Sequence, residues 1–244
     1  MRVGAVTSST RIGVVALLAL AVVGCSGAGR ASRETEPQPD IDDAAIASAV
    51  DIRAIGCQTA PTRGAGAVVE GGFVLTAAHV VAGADSITVR AASPQDADAI
   101  IAHVVALDPN NDLALLATPD HDLQQLPLAR GAANTVGVAI VFRDNSALAE
   151  PFVITRPVRM RIFDIYHHDT VSRSGYQVAI SIEPGDSGAV LVGPTGAAVG
   201  VLYAKSRGTA NRAWASSTVA VPVLISRARS IDPTEGIDAG PCVR

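Results

Sequence analysis

A serine near the C-terminal end of the sequence has the setting of a reactive hydroxyl. Ser187 lies between Asp186 and Gly188, within a stretch that runs from Ile182 to Leu191. Glycine and proline before the serine and an apolar run after it indicate a tight turn that leads into a buried strand. Backbone with little side-chain bulk can direct two N–H groups at one point, and the N–H groups of Gly185 and Ser187 are the candidates for an oxyanion hole. The same residues also fit an ordinary surface turn, so this hypothesis requires a general base.

A histidine and an aspartate elsewhere in the chain could complete such a site. His79 ends the apolar run that begins at Gly72, and Asp112 follows Asn111 and opens the apolar run from Leu113 to Leu116. A histidine beside an apolar run is commonly a core or surface residue. Whether His79 is instead a general base depends on the motifs that accompany it in the chain.

The elements that must position these residues are predicted to be short strands. From Cys57 onward, runs of Val, Ile, Leu and Ala are separated by Gly, Pro, Asn and Asp. The runs are Ala67 to Ala77, Ser86 to Arg90, Ile100 to Leu107, Leu113 to Thr118, Val136 to Phe142, Phe152 to Arg161, Gln177 to Ile182, Ala189 to Val192, Ala198 to Ala204 and Thr218 to Val223. Many short strands with turns between them predict an all-β sandwich or barrel.

Two segments at the ends of this region have a different pattern. Ile41 to Ile55 has an apolar spacing that fits either a short helix or a first strand, and the sequence does not decide between them. Val223 to Ser230 fits a short closing helix.

Together, the three chemical motifs resemble those of the trypsin-like (chymotrypsin-fold) serine peptidases. The resemblance is carried by Thr76-Ala77-Ala78-His79, Asn111-Asp112 and Gly185-Asp186-Ser187-Gly188. The order His, Asp, Ser is that of the chymotrypsin type, whereas subtilisin-like and α/β-hydrolase sites use other orders. The compact spacing resembles the bacterial HtrA-like branch, here without room for a PDZ domain, and the resemblance extends from about Cys57 to Val223.

The resemblance implies both a fold and a mechanism. The fold would be two packed six-stranded β-barrels, the first at about residues 49–135 and the second at about 136–230, with a short C-terminal helix. Ser187 would attack a peptide carbonyl, His79 would act as general base and acid, and Asp112 would orient the imidazole. Asp112 is preferred over Asp108, Asp120 and Asp122 because it opens a strand after an asparagine, as in the family motif.

The resemblance also implies where the substrate binds. Ser181, six positions before the nucleophile, would lie at the base of the primary specificity pocket, where a neutral hydroxyl disfavours cleavage after Lys or Arg. Tyr203, Ala204 and Lys205 would belong to the strand that pairs with the substrate backbone and walls the pocket. Tyr203 would leave room for small or medium apolar side chains, whereas Lys205 or Arg207 would favour an acidic one, and both alternatives stay open.

Two features depart from the family pattern. Ala189 follows Gly188 where glycine is usual, and a methyl group there is expected to be tolerated. No segment like Ile-Val-Gly-Gly precedes His79, so activation by a freed N-terminus that pairs with Asp186 is not supported. The loop around Ser187 must then be held in another way.

The N-terminal segment reads as a bacterial export signal. Arg2 and Arg11 precede the apolar stretch Ile12 to Val23, which is too short to span a bilayer as a helix. Gly24-Cys25 resembles a lipobox, which predicts a signal peptide at residues 1–24, lipidation of Cys25 and attachment to the outer side of a membrane. An ordinary secretory signal with a coincidental cysteine is the alternative. Residues 25–48 are predicted to be a flexible tether and 49–244 the peptidase domain.

Because the chain is predicted to be exported, its other two cysteines bear on whether a disulfide forms. Cys57 and Cys242 form an even pair near the two ends of the predicted folded region. Outside the cytoplasm such a pair is expected to form a disulfide, with two free thiols as the alternative.

Composition excludes several classes of partner. Hydrophobic residues make up 48% and charged residues 17% of the 244 residues, which is typical of a folded protein. The net charge is −4 and Lys205 is the only lysine, so nucleic acid is not an expected partner. His167-His168 lacks ligands at a metal-binding spacing, so neither a metal nor another cofactor is expected. The oligomeric state is not indicated.

The sequence therefore predicts an extracytoplasmic, lipid-anchored serine endopeptidase with a polypeptide substrate. A protease-fold binding protein of the cell envelope, with little or no turnover, is the alternative from another class. A serine esterase on the same fold is a third possibility, because the triad would be shared.

Overall fold

The computed structural model describes residues 41–57, 59–94, 97–119 and 122–243. The predicted signal peptide, the lipidation site at Cys25 and the tether up to residue 40 lie outside the described residues. Within the described part of the chain, no helix is long and apolar enough to cross a membrane.

Six antiparallel strands close into a first barrel. The strands are β1 (Ala49–Gly56), β2 (Thr62–Val69), β3 (Phe73–Thr76), β4 (Ala84–Ala91), β5 (Ile100–Asp108) and β6 (Leu113–Ala117). Their order around the barrel is β1-β2-β3-β6-β5-β4, and β4 pairs with β1 to close it. Alternating Val, Ile and Leu side chains fill the interior, and Ile52, Leu75 and Leu115 are fully buried.

A second six-stranded barrel follows in the chain. Its strands are β7 (Val136–Arg143), β8 (Ser146–Phe163), β9 (Thr170–Ala179), β10 (Val190–Val192), β11 (Ala198–Lys205) and β12 (Arg212–Ser217). Their order is β10-β11-β12-β9-β8-β7, closed by the pairing of β7 with β10. Strands β8 and β9 form a long hairpin whose tip is at residues 164–169. The predicted pair of six-stranded barrels is confirmed.

Three short α-helices complete the described structure. They are α1 (Ile41–Ser48), α2 (Ala78–Val81) and α3 (Val221–Ala228), and a 3-10 helix at Thr218–Ala220 precedes α3. The prediction of a strand from Thr218 to Val223 is wrong, because this run forms the 3-10 helix and the first turn of α3. The segment from Ile41 to Ile55 contains both alternatives that its spacing allowed, because α1 leads directly into β1. Helix α1 lies within the range predicted as tether, and its Ala44 and Ala45 are buried.

Helix α3 is the predicted closing helix, and it packs against the first barrel although it follows the second. Val221, Leu224 and Ile225 are buried in the same hydrophobic cluster as the interior of the first barrel. The chain then returns to the end of β1, where a disulfide joins Cys57 to Cys242 with their Cα atoms 5.5 Å apart. The predicted disulfide is therefore present.

One predicted strand is divided in the structure. The apolar run from Ala67 to Ala77 forms β2 and β3, which pair with each other across a turn at Gly71 and Gly72. Both glycines have positive φ, +94° and +77°, which other residues adopt only with strain. The turn leads the chain into β3, and α2, which carries His79, follows the end of β3.

Candidate active site

His79 and Asp112 are held together by three hydrogen bonds. The Nδ1 atom of His79 lies 2.9 Å from Oδ2 and 3.0 Å from Oδ1 of Asp112, and the backbone N–H of His79 donates to Oδ1 at 2.9 Å. With a proton on Nδ1, the ring leaves Nε2 free to accept a proton. The His79 side chain is 26% exposed, whereas that of Asp112 is 5% exposed. The carboxylate therefore orients a histidine that solvent and ligands can still reach.

The turn that carries Asp112 is fixed from both barrels. On its own side, Asp108 accepts hydrogen bonds from the backbone N–H groups of Asn110 and Asn111 at 3.0 Å. From the second barrel, Ser216 donates to the carbonyl of Asn111 at 2.5 Å and Arg173 donates to the carbonyl of Asn110 at 2.8 Å. These bonds allow Asp112 to keep a positive φ of 55° at the entrance to β6.

Asp112 stays ionised although it is buried. Burial opposes the charge, but the charge and hydrogen bonds of His79 and the charge of Arg173 hold the pKa of Asp112 below its usual value. Arg173 is itself 2% exposed, and its Nη1 lies 3.5 Å from Oδ2 of Asp112. A buried arginine thus shares the carboxylate with the histidine.

Tyr203 completes the surroundings of Asp112 and Arg173. The guanidinium carbon of Arg173 lies 4.8 Å from the centroid of the Tyr203 ring, which is a cation–π contact. Burial, with the nearby charge of Asp112 and against that of Arg173, raises the pKa of Tyr203 to about 12. The phenol is therefore protonated at neutral pH.

The loop around Ser187 is fixed against the first barrel by close backbone contacts. The N–H of Ala65 in β2 donates to the carbonyl of Ser187 at 2.8 Å. Gly188 has a φ of +89°, and a Cβ added there would lie 2.2 Å from the carbonyl of Ala65 and from Oγ1 of Thr76. A Cβ on Gly64 would lie 2.5 Å from Val80, the neighbour of His79 in α2, and 2.9 Å from the carbonyl of Ser187. The serine is thereby placed beside the elements that carry the histidine.

A tight turn precedes the serine. The N–H of Asp186 donates to the carbonyl of Glu183 at 3.1 Å, with Pro184 and Gly185 between them. The φ of Gly185 is +102°. Proline at the second position and positive φ at the third are the pattern of a type II turn. Types I and II differ by a flip of the central peptide, whose N–H here belongs to Gly185, so the turn type sets the direction of that N–H.

The N–H groups of Gly185 and Ser187 donate no hydrogen bond to any residue that the structure describes. Neighbouring N–H groups in the loop are all engaged: that of Gly188 donates to Leu202 and that of Ala189 to Asp186. Two free donors beside a serine are what an oxyanion hole requires.

The Ser187 hydroxyl is not hydrogen-bonded to His79, nor to any other residue among those described. In chains without a bound substrate, hydrogen bonds between nucleophile and base are often long and tighten only in the complex. The structure thus brings the three candidate residues into one region and forms the contact between His79 and Asp112.

The residues predicted to bind substrate line two cavities. The larger, about 650 Å³, is lined by His79, Asp112, Tyr203 and Ala204 and by Arg161 and Phe163 of the long hairpin. The smaller, about 370 Å³, is lined by Ser181 and Lys205 and by the loop after β11. Ser181 and Lys205 thus share one cavity, whereas Tyr203 lies in the other, against Arg173.

Ala189 occupies the position after Gly188 at which glycine is usual in the family. Its methyl group is fully buried in the core of the second barrel, and its carbonyl accepts a hydrogen bond from Leu202 at 2.9 Å. The side chain therefore points away from the reacting atoms.

Two arginines belong to the site but have no sequence motif. Arg173 in β9 contacts Asp112, and Arg143 at the end of β7 contacts Asp186. Neither lies near its aspartate in the sequence. The signal that would have found them is the pairing register of β7, β8 and β9, which the sequence pattern does not give.

Comparison with known proteins agrees with these motifs. A family model described as "Trypsin-like peptidase domain" matches residues 64–201. Serine protease Rv3671c of Mycobacterium tuberculosis is 30% identical over 202 residues, which are 80% of this chain and 49% of that protein. A probable periplasmic serine endoprotease DegP-like of Hahella chejuensis is 32% identical over 160 residues, 63% of this chain and 32% of that protein. The chain spans about half the length, or less, of these curated relatives.

Solved structures show the same fold. The active form of the Rv3671c protease superposes with a TM-score of 0.73 at 30% identity, covering 84% of this chain and 89% of that chain. The inactive form gives a TM-score of 0.64 at 29% identity, covering 77% and 92%. The HtrA-type protease AlgW with a decapeptide gives 0.62 at 21% identity, covering 78% and 66%, and shows the fold alone.

Proposed function

Because this chain belongs to the trypsin-like peptidase family, we propose that it is a serine endopeptidase with His79, Asp112 and Ser187 as its catalytic triad. The observation that carries the proposal is the pairing of an oriented histidine with a serine loop that keeps two N–H groups free. These are the parts that peptide hydrolysis through an acyl-enzyme needs.

The proposed mechanism assigns a task to each group. Nε2 of His79 takes the Ser187 proton as Oγ attacks the carbonyl carbon, while the N–H groups of Gly185 and Ser187 stabilise the oxyanion. The imidazolium then gives its proton to the leaving amine, and water releases the acyl group by the same steps in reverse. The buried carboxylate of Asp112 stabilises the imidazolium that forms in each half-reaction.

The substrate is proposed to be a polypeptide held along β11. In that arrangement Ser181 and Lys205 contact the side chain before the cleaved bond, since they line the smaller cavity. Tyr203 and Ala204 contact residues further towards the substrate N-terminus, since they line the larger cavity beside His79. A neutral serine and a lysine in the smaller cavity give no carboxylate that would hold a basic side chain.

We propose a location outside the cytoplasm. The disulfide between Cys57 and Cys242 fits an oxidising compartment, and several relatives are described as probable periplasmic endoproteases. Attachment to a membrane would come from a lipid on Cys25. A Cys25→Ala variant expressed with the full leader should leave the membrane fraction, and continued sedimentation with membranes, as for the parent, would contradict the anchor.

Hydrolysis of a protein substrate tests the activity. Purified protein should cleave unfolded casein, and Ser187→Ala should lower kcat by about 10⁴-fold or more because the nucleophile is lost. Ser230→Ala is a matched control, since Ser230 is exposed and, among the described residues, its hydroxyl contacts only the carbonyl of Arg227. Tight binding of casein by the parent without any cleavage would favour the binding-protein alternative and overturn the proposal.

A further inference from the structure

The smaller cavity, of about 370 Å³, lies between the segment before the serine loop and the loop that joins β11 to β12. The backbone N–H of Ile180 donates to the carbonyl of Asn211 at 3.1 Å, and that of Ser206 donates to the carbonyl of Arg212 at 2.8 Å. These two bonds close the base of the loop and attach it to the segment. The walls of the cavity are therefore fixed by backbone contacts.

Three basic side chains line this cavity, and none of the described residues that line it is acidic. Lys205 ends β11, Arg212 begins β12, and Arg207 lies in the loop between them. The other residues that this loop contributes, Ser206 and residues 208–211, are small or carry an uncharged hydroxyl or amide. The lining therefore has three basic groups and no carboxylate to oppose them.

These three basic groups are not engaged elsewhere in the part of the chain that the structure describes. None of them forms an ion pair or donates a side-chain hydrogen bond there. The acidic residues that follow the segment in the sequence, Glu183 and Asp186, both face Arg143, at 3.5 and 2.6 Å. Because the charges of these carboxylates are already compensated, the basic groups of the cavity stay available to a ligand.

Both walls of the cavity are connected to the proposed nucleophile. One wall, residues 180–182, leads directly into the loop that carries Ser187. The other wall begins at Lys205, three residues after Leu202, whose carbonyl accepts a hydrogen bond from the backbone N–H of Gly188 at 2.8 Å. A polypeptide that lies along β11 with its reacting carbonyl at Ser187 therefore places the side chain before the cleaved bond at this cavity.

The uncharged part of the lining also suits an acidic side chain. Ile180 and Ile182 are 3% and 7% exposed, and they give apolar surface on which the methylene groups of a glutamate can pack. Ser181 between them is exposed and adds a hydroxyl that can donate to a carboxylate oxygen.

We propose that the smaller cavity selects an acidic side chain, so that the enzyme cleaves after glutamate or aspartate. This inference rests on the proposed peptidase function and names its substrate class. Arginine and lysine donate charge-assisted hydrogen bonds to a carboxylate, which are about twice as strong as those to a neutral amide. Because the three basic side chains are exposed or half-buried, salt should weaken the attraction.

A matched set of fluorogenic peptides tests the preference. The peptides differ only in the residue before the cleaved bond, which is Glu, Gln or Lys. Each partly exposed charge pair should contribute a factor of about two to five, so kcat/KM for the Glu peptide should exceed that for the isosteric Gln peptide by about ten-fold or more. The Lys peptide should be the poorest substrate. The advantage of Glu over Gln should shrink as salt is raised from about 0.05 M to about 0.5 M.

Removal of single basic groups should reduce this advantage. In Lys205→Met and in Arg212→Met the ratio of kcat/KM for Glu over Gln should fall by about two- to five-fold, and Arg212→Glu should lower it further. Arg229→Met is the matched control, since Arg229 is exposed after α3 and does not line the cavity, and it should keep the parental ratio. Because both peptides are measured on one preparation, the ratio does not depend on the fraction of protein that is folded.

The outcomes separate the two proposals. If the parent protein cleaves none of the peptides and does not react with a fluorophosphonate, the peptidase function fails and this inference fails with it. If the parent cleaves the Gln peptide as well as the Glu peptide at low salt, the inference is wrong and the peptidase function stands. An equal loss of the preference in Arg229→Met and Lys205→Met would also overturn it, because the cavity would then not be its cause.

Discussion

At the scale of single residues, the unusual feature is an arginine that shares the carboxylate of Asp112 with His79. Arg173 is almost fully buried and has no other carboxylate within ion-pair distance in the part of the chain that the structure describes. Its remaining bonds go to the carbonyls of Asn110 and Pro109, in the turn that carries Asp112. Arg173 thus helps to place the aspartate and also helps to keep it ionised.

The pH dependence of stability should report this charge. The pKa of Asp112 is held below its usual value, so its ionised form stabilises the folded protein above about pH 4. That stabilisation is lost as the pH falls through the lowered pKa. Arg173→Met removes one of the charges that lower the pKa, so the gap between the unfolded and the folded pKa narrows and less stability should be lost below about pH 4 than in the parent. At pH 7 the variant should also lose about 3 kcal/mol of unfolding free energy, because a buried ion pair is broken.

Urea unfolding between pH 7 and pH 3 measures both effects. Arg156→Met, which changes an exposed arginine on β8, should follow the parent throughout. Equal acid sensitivity of the parent and Arg173→Met would show that Arg173 does not stabilise the charge of Asp112.

The sequence predicted some of these residues and not others, for a physical reason. His79, Asp112 and Ser187 each lie in a local motif, because a reactive side chain needs a defined turn or strand end around it. Arg143 and Arg173 belong to strands, and their neighbours in sequence do not indicate which residue each contacts. Their roles depend on pairing register and on the contact between barrels, which residue pattern alone does not determine.

At the scale of elements, the seam between β2 and the serine loop positions the site. The N–H of Ala65 bonds the Ser187 carbonyl, and Gly64 gives the backbone room to approach both Val80 and that carbonyl. Strand β2 thereby sets the distance between the loop with the serine and the helix with the histidine.

A methyl group on Gly64 should disturb this seam. In Gly64→Ala the new Cβ would lie 2.5 Å from Val80 Cγ1 and 2.9 Å from the Ser187 carbonyl, so the two elements must move apart. We expect the free energy of unfolding to fall by about 1–3 kcal/mol. We also expect kcat/KM to fall by a larger fraction of its parental value than the free energy of unfolding does. Ser230→Ala is the control, because Ser230 is exposed and lines neither of the two cavities. Unfolding and peptide hydrolysis measured on both variants decide the matter, and parental activity in Gly64→Ala would contradict the importance of the seam.

Element boundaries were the part of the fold that the sequence predicted least well. The run Ala67 to Ala77 is continuous in hydrophobicity, but Gly71 and Gly72 divide it into two paired strands. Both strands are buried, so the alternation that would have separated them is absent. At the start of the described chain, Ile41 to Ile55 fitted a helix and a strand equally because it contains one of each.

At the scale of the whole molecule, the chain ends of the folded region are joined. The disulfide between Cys57 and Cys242 closes a separation of 185 residues and fixes the tail after α3 to the first barrel. In the loop-entropy account this cross-link stabilises the folded state by up to about 5 kcal/mol. The second barrel is therefore held to the first both by the packing of α3 and by the disulfide that follows it. The two barrels form one covalently closed unit.

The same closed unit contains every group that the proposed chemistry requires. The first barrel provides His79 and Asp112, the second provides Ser187, and Arg143 supplies the cation for Asp186 from within the fold. We therefore expect the peptidase domain to be reactive without prior cleavage within it.

The most direct test is to treat the purified, uncut protein with a fluorophosphonate and to map the adduct by mass spectrometry. We expect one adduct per chain, on the peptide that contains Ser187, and none on the Ser187→Ala variant. Absence of an adduct on the intact parent, or an adduct that persists equally in Ser187→Ala, would contradict the central claim that Ser187 is the nucleophile of a preassembled site.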